Sequence, residues 1–570
     1  MHRMLLFVLL STQLAVLAGC RREAPPAAVT PAPTTEAATP APVDFTQSYV
    51  VELAPGQTAA DLRATADAVF DQVVTIEPLF PDVDPNDDPE RLSSIHRLRV
   101  ADPIADTTQW DLAYRLREQG GFAQVEPDTD NTLVEQQKRS AVTSCLGDTG
   151  VPTPVDTSWS LRKMNVGPAR LLVPPVGGKQ LGEGIRICHP DSGWTAHVDL
   201  DDARIDRSAT INLVEGGNDA HDPLGYQGNP GHGTATGSVL VSDGQLGAST
   251  GTTTPGVVVG LAPKATLVPI RTFNNVVRIF DSNVARAVQH ATRAQCDVIS
   301  MSLGGRAFFG LERAINDAVR RDIIVVNAAG NCIGMVVAPA SYDNAIAVAA
   351  TNAIDKPWKG SSKGRAVDIS APGEDVYVAE ATPGPGPGAQ VKDGNGTSFA
   401  TAAIAGAAAD WIAFHGRDAI KAAQGSLTRR DLFLRAMQAT ARKPDGWDDQ
   451  RYGAGILDLK RLLQHPLATP GNELRAPPRD DTIAILSRMF DLQPQVAREG
   501  VTRILGNPAD LDAELRKYGP ELLDLATRDP DNFQQALAPP PPGALTRNPA
   551  VQPLKSRASR SLSAVIGDGS

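Results

Sequence analysis

Between about Val151 and Leu463 short apolar runs alternate with longer stretches whose apolar positions recur with helical spacing. That pattern predicts strands and helices in turn, and hence a mostly parallel central sheet with helices on both faces, an α/β fold. The strand candidates are Ile185 to Cys188, Thr266 to Ile270, Asp297 to Leu303, Ile323 to Ala328 and Ala345 to Ala349. The helix candidates are Phe280 to Ala294, Gly310 to Arg320 and Ser398 to Phe414. A different pattern comes first. Tyr49 to Leu53 and His96 to Val100 read as strands, Thr58 to Phe70 and Trp110 to Glu118 as helices, and Phe122 to Pro127 as a last short strand. Residues 45–130 therefore form a small α+β domain of β-α-β-β-α-β order. Beyond residue 465 the pattern turns polar and helical from Asp481 to about Gln535, then ends in the run Pro539 to Pro542. Residues 466–538 are expected to be a helical extension, and 539–570 a proline-rich disordered tail.

The N-terminus changes this picture. Arg3, an apolar run from Met4 to Leu17 and the ending Leu17-Ala-Gly-Cys20 make residues 1–19 a signal peptide rather than part of the fold. The ending resembles the bacterial lipoprotein box, which implies lipidation of Cys20 and a membrane anchor. Arg21 in place of an acidic residue implies an exported protein held at the outer membrane, on its periplasmic or cell-surface face. Residues 20–44, rich in Pro, Ala and Thr, read as an extended tether. A formal charge of −11 and no dense Lys/Arg cluster argue against a nucleic-acid partner, and a monomer is expected. Beyond Cys20, four cysteines remain: Cys145, Cys188, Cys296 and Cys332. In an oxidising compartment they allow two disulfides in three connectivities. The alternative leaves Cys188 and Cys296 as reduced core residues. No Cys-x-x-Cys pair supports zinc, and the acidic loop Asp82 to Asp88 reads as a solvated turn.

In an open parallel sheet, reactive groups gather where strands end at their carboxyl edge. Asp191-Ser-Gly193 follows the first strand of the main domain, and His232 stands between glycines in Gly231-His-Gly-Thr-Ala-Thr-Gly237. Ala328-Ala-Gly-Asn331 closes a later strand, and Ser398 opens an alanine-rich helix after Asp393-Gly-Asn-Gly-Thr397. A serine there lies beside unpaired N–H groups and the positive end of the helix dipole. Each motif is common alone, as a turn or a helix start. Their order and contexts together resemble the subtilisin-like serine protease family over about Val151 to Leu463. Gly260-Leu-Ala-Pro-Lys-Ala265, Ser300 to Gly305, Ser370-Ala-Pro-Gly373 and Tyr452-Gly-Ala-Gly455 add to the likeness.

The resemblance implies a serine endopeptidase with a peptidase domain at 150–465 and a propeptide-like inhibitor domain at 45–130 ending in Val125-Glu-Pro-Asp128. It implies Ser398 as nucleophile, His232 as general base and then acid, and Asp191 as the group that orients His232. Asn331 with the Ser398 N–H would form the oxyanion hole, and Ser302, Leu303, Gly304 and Gly305 would bind an extended substrate. The apolar stretch Cys332 to Ala338 would wall the pocket for the residue before the scissile bond, favouring apolar or small side chains. No cofactor is required for this chemistry, no metal ligand is assigned, and structural calcium has no assigned position. Partners are protein or peptide substrates and the chain's own propeptide. A cut between about Asp128 and Thr149 would release the catalytic unit from a tethered zymogen, unless the propeptide stays bound or a disulfide through Cys145 joins the pieces. Two departures stand out: Ala402 where many relatives have proline, and His189-Pro190 in place of apolar residues before the acid. Pro190 lacks a strand donor. Two other readings remain, an inactive scaffold acting as a surface binding protein, and a metal hydrolase using His189, Asp191, His197 and His232.

Overall fold

A computed structural model describes residues 45–128, 150–226, 228–244, 257–274, 281–384, 386–467, 481–539 and 548–567. The signal segment, Cys20, the tether and Cys145 lie outside the described residues. In the N-terminal domain β1 (Phe45–Glu52), α1 (Ala59–Val69), β2 (Val74–Pro78), β3 (Ile95–Ala105), α2 (Asp106–Gly120) and β4 (Gln124–Pro127) follow in the expected order. The strands form an antiparallel sheet ordered β2-β3-β1-β4. Thr58 and Asp61 close a reciprocal cap on α1, which fixes that helix's start. Strand β2 has only Val74 buried, so too little alternation marks it in the sequence.

The main domain is built on a parallel sheet ordered β11-β10-β9-β8-β5-β7-β6. Its strands are β5 (Arg186–Asp191), β6 (Ile211–Asn212), β7 (Thr266–Arg271), β8 (Val298–Met301), β9 (Ile324–Ala328), β10 (Ile346–Thr351) and β11 (Ile369–Pro372). Nearly every residue in β7 to β11 is buried, as a sheet covered on both faces requires. One face is covered by α3 (His232–Val241) and another by α4 (Asp281–Arg293) and α5 (Phe309–Arg320). A hairpin of β12 (Val376–Glu380) and β13 (Gln390–Gly394) precedes the buried helix α6 (Thr397–His415). α6 has the length and hydropathy of a membrane span, yet it is wholly enclosed and serves as the core helix. Ala402 lies within its unbroken run, so the departure from proline leaves a regular helix.

Strand β5 is where the order of strands reverses: β7 and β6 extend to one side, β8 to β11 to the other. Asp191 ends that strand, at the switch point where such sheets open a crevice. Pro190 does not break the pairing with β7, which runs from Arg186↔Thr266 to Asp191↔Arg271. On the β8 side, registered pairs stop at Ile187↔Val298 and Cys188↔Ile299. The strand is thus half-released just before the acid.

Cys188 and Cys296 form a disulfide across a separation of 108 residues, joining β5 to the end of α4. Cys332 is also disulfide-bonded, to a partner outside the described residues. In a Ser398→Ala background, replacing Cys188 and Cys296 by alanine is expected to remove about 2–4 kcal/mol of unfolding free energy, because the bridge closes a long loop. Urea unfolding followed by tryptophan fluorescence measures it.

Beyond the sheet domain come α7 (Thr482–Met489), α8 (Pro494–Ile504), α9 (Leu511–Arg528), α10 (Pro530–Leu537), α11 (Val551–Arg557) and α12 (Arg560–Val565). The last two correct the expectation of a disordered tail over 539–570. Val551, Leu554, Leu562 and Ile566 are buried there, and that apolar set is too short and too close to prolines to show as a period.

Candidate active site

The site begins at the end of β5. Asp191 is fully buried. Its Oδ1 accepts the Ser192 N–H at 2.7 Å and lies 2.7 Å from His232 Nδ1. A buried carboxyl would ordinarily rise in pKa; here the His232 and His189 imidazoles and the Ser192 N–H outweigh burial and hold it below the usual carboxylate range. Asp191 therefore stays ionised at neutral pH, and as an acceptor it sets His232 with its proton on Nδ1 and Nε2 free.

His232 is held by the turn before it. Gly231, at φ 76°, starts α3 in the left-handed region, where a side chain would be strained. The buried Asp222 accepts the Gly231 N–H at 2.9 Å and the Ser192 hydroxyl at 2.7 Å. The same Ser192 hydroxyl accepts the Gly233 N–H at 3.0 Å. This chain of bonds fastens the Asp191 turn to the first turn of α3. Gly193 and Gly233 allow the close approach: a Cβ on Gly233 would lie 2.0 Å from Gly193 O.

Ser398 stands in the first turn of α6, which packs beside α3. Asn331 follows β9, and its Oδ1 accepts both the backbone N–H and the hydroxyl of Thr397, at 2.9 and 2.8 Å. That leaves the Asn331 amide N–H groups directed at the Ser398 turn. A Cβ placed on Gly396 would lie 3.6 Å from both Asn331 Nδ2 and Ser398 Cβ. The structure thus joins Asp191 to His232 and sets Asn331 against the Ser398 turn, on two helices that pack side by side. Thr397, inside the serine motif, carries no catalytic signal in the sequence, yet it is the residue that fixes the Asn331 side chain.

The segment Ser302 to Gly305 reaches the same place. Ser302 Oγ donates to Ser398 O at 2.9 Å, and Gly305 N donates to Ala338 O at 2.8 Å. Gly304 abuts Val337, where a Cβ would approach Cγ2 to 2.2 Å; Leu303 is buried. The Cys332 to Ala338 stretch is therefore a wall beside this segment, with Met335, Val336 and Val337 turned inward.

His189 is the feature behind the acid that its spacing could not reveal. It is buried, with Nδ1 3.2 Å from Ser300 O and Nε2 2.9 Å from Thr236 Oγ1. A carbonyl only accepts, so Nδ1 carries the proton. Burial lowers its pKa and keeps the ring neutral. Thr236 Oγ1 is also 3.3 Å from Asp191 Oδ2. His197 faces elsewhere: its Nε2 meets Gln390 O at 2.9 Å and its Nδ1 accepts the Asp199 N–H at 3.1 Å. His189, Asp191, His197 and His232 do not converge as a ligand set. No group of three or more His, Cys, Asp or Glu among the described residues is placed to hold a metal.

An α/β protein with an acid and a histidine joined at the sheet's switch point, and a serine at a helix start beside a free amide, has the layout of a serine hydrolase. The sequence profile of the subtilase family matches residues 182–455. Thermitase of Thermoactinomyces vulgaris is 33% identical over 272 residues, 47% of this chain and 88% of that protein. Subtilisin Savinase of Lederbergia lenta is 32% identical over 247 residues, 43% of this chain and 82% of that protein. The crystal structure of fervidolysin from Fervidobacterium pennivorans, 18% identical, aligns with a TM-score of 0.51 over 75% of this chain and 62% of its own, a likeness of fold. The chain belongs to the subtilase family, and its fold is subtilisin-like.

Proposed function

We propose that this subtilase is a serine endopeptidase that hydrolyses protein substrates through Asp191, His232 and Ser398. The 2.7 Å contact between Asp191 and His232 at the switch point carries this reading. Ser398 attacks the scissile carbonyl while His232 Nε2 takes its proton. His232 then returns that proton to the leaving amine, and water hydrolyses the acyl-enzyme by the same route. Asn331 and the Ser398 N–H hold the oxyanion, and Ser302 to Gly305 pairs with the substrate backbone. The apolar wall from Met335 to Ala338 suits an apolar or small side chain before the scissile bond. The N-terminal domain makes the chain a zymogen, and lipidation of Cys20 tethers it to a bacterial membrane after export.

The test is a fluorophosphonate that reacts with activated serines, applied to chain lacking the signal and Cys20 and freed of residues 45–128, with the adduct located by mass spectrometry. Modification of Ser398 alone, absent in Ser398→Ala, is the expected result. A folded sample with no adduct would replace this reading with that of an inactive binding scaffold. Asn331→Ala is expected to lower kcat by about 10²–10³-fold with little change in KM, the effect of losing one oxyanion donor. Steady-state hydrolysis of a chromogenic peptide measures it.

A further inference from the structure

The N-terminal domain is held by two different parts of the chain. Its first set of contacts is with α4 and α5 of the sheet domain. Glu52 pairs with Arg313 at 2.8 Å, Asp87 with Arg320 and Arg321 at 3.2 and 2.9 Å, and Asp128 accepts from the N–H and hydroxyl of Ser282 at 3.2 and 2.6 Å. The acidic loop read from sequence as a solvated turn is thus, at Asp87, a docking point.

The second set is with the C-terminal helices, and α2 supplies it along its length. Trp110 Nε1 donates to Asp524 at 3.0 Å, Tyr114 OH to Glu521 at 2.5 Å and Arg117 to Arg516 O at 3.0 Å, while Glu118 pairs with Lys517 at 2.6 Å. Asp111 takes the Arg560 and Ser561 N–H groups at 3.2 and 2.9 Å. Positions 110, 111, 114, 117 and 118 share one helix face. Trp110, Tyr114, Glu521 and Asp524 are buried, and the Tyr114 and Tyr518 rings meet edge to face at 5.2 Å. Buried aromatics with satisfied polar tips are the groups that dominate an interface.

Arg306 links the two sets. It directly follows the Ser302 to Gly305 segment, is fully buried, and donates to Glu126 at 3.2 Å and to Pro127 O at 2.9 Å, with its Nε 3.9 Å from Asp524. The C-terminal helices are themselves fixed to the sheet domain, where Val336 N donates to Met489 O at 3.0 Å and Arg488 to Ser341 O at 2.5 Å. Both docking faces therefore belong to one host. A domain bound at two sites of one host gains the second contact at high effective concentration.

We propose that the helices within 481–539 and 548–567 are a clasp whose partner is the chain's own N-terminal domain, holding it in place after the connection through 129–149 is cut. This rests on the zymogen reading for its consequence, not for its test. Cutting then yields a latent two-piece protein rather than a freed enzyme. Because Cys20 lies on the retained piece, the catalytic domain stays at the membrane until the clasp opens.

The experiment uses the Ser398→Ala chain lacking only the signal and Cys20, with a recognition site for an unrelated protease placed between 130 and 140. That position is N-terminal to Cys145, so no disulfide of Cys145 joins the pieces. After cutting, the dissociation rate of the N-terminal piece is read by gel filtration over time. It is expected to stay bound, and to leave at least about 30-fold faster when residues 468–570 are deleted. Trp110→Phe with Asp111→Ala and Arg117→Ala, which keeps the apolar packing, is expected to speed release about tenfold or more. Prompt separation of the pieces once the parent chain is cut, or an unchanged rate in the triple variant, would overturn the proposal. The chain is inactive throughout, so a failed protease reading would not alter the result.

Discussion

Replacing His232 by alanine is expected to lower kcat by a factor on the order of 10⁶, and adding Ser398→Ala to that variant is expected to lower it no further. The reason is that in the proposed mechanism the two side chains act as one device. The serine hydroxyl is a weak nucleophile until a base accepts its proton, so removing either residue removes the same step. The arrangement of this chain makes the comparison clean. His232 is positioned through Gly231, Gly233, Ser192 and Asp222 by bonds to backbone N–H groups and to the Ser192 hydroxyl, so truncating the imidazole leaves the turn intact. The proposed oxyanion donors on Asn331 and Ser398 would also survive, and the residual rate over water in both variants would measure them. Single-turnover kinetics with an activated ester, and thermal unfolding to confirm the fold, check the prediction. Substantially additive losses would mean that a second base serves Ser398.

Asp191→Ala is expected to cost about 10⁴-fold in kcat, and Asp191→Asn distinctly less. Alanine removes both the orienting acceptor and the charge that stabilises the imidazolium. Asparagine removes only the charge, because the surroundings dictate how its amide sits. The Ser192 N–H at 2.7 Å from Oδ1 demands the oxygen there, and that same atom faces His232 Nδ1. The amide nitrogen then falls where Oδ2 was, beside Thr236 Oγ1 at 3.3 Å and His189 Nε2 at 3.6 Å, both able to accept. His189 with its proton on Nδ1 thus favours the seating that preserves the His232 tautomer. A kcat for the asparagine variant at or below that of the alanine variant would refute this account. The pH consequence has a definite sign. A carboxylate held below its ordinary pKa stabilises the fold above that ordinary value, and the contribution fades as pH falls through the lowered one.

Local signals carried most of the fold and the site into the sequence. Buried parallel strands such as Ile324–Ala328 are continuous apolar runs, and α6 is an apolar stretch opened by a glycine-rich turn; neither depends on distant context. The motifs around Asp191, His232 and Ser398 were legible for the same reason, since glycines at tight turns leave a local mark. What stayed hidden was long-range or too short. The two-residue strand Ile211–Asn212 exists only through its pairing with Ile270 and Arg271. The Trp110–Asp524 bond joins residues 414 positions apart, and a buried aspartate in an amphipathic helix looks like a solvated one until its partner is known. His189 was visible as an oddity, but its bonds to Ser300 and Thr236 come from three different elements.

The apolar interior is divided by the sheet in a way that matters for how the molecule comes apart. One continuous cluster joins Val51 and Leu98 of the N-terminal domain to Val288 and Ile315 of α4 and α5 and to Leu486 and Phe533 of the C-terminal helices. A separate cluster on the opposite side holds Val239 and Leu240 of α3 with Ala403 and Ile404 of α6. The units of cooperative unfolding therefore do not coincide with the boundaries of sequence domains. In hydrogen exchange, amides of α2, α5 and α9 should lose protection together when the first cluster opens, while those of α3 and α6 remain slow. Departure of the N-terminal domain would loosen the back of the sheet and leave α3 and α6 on an undisturbed foundation.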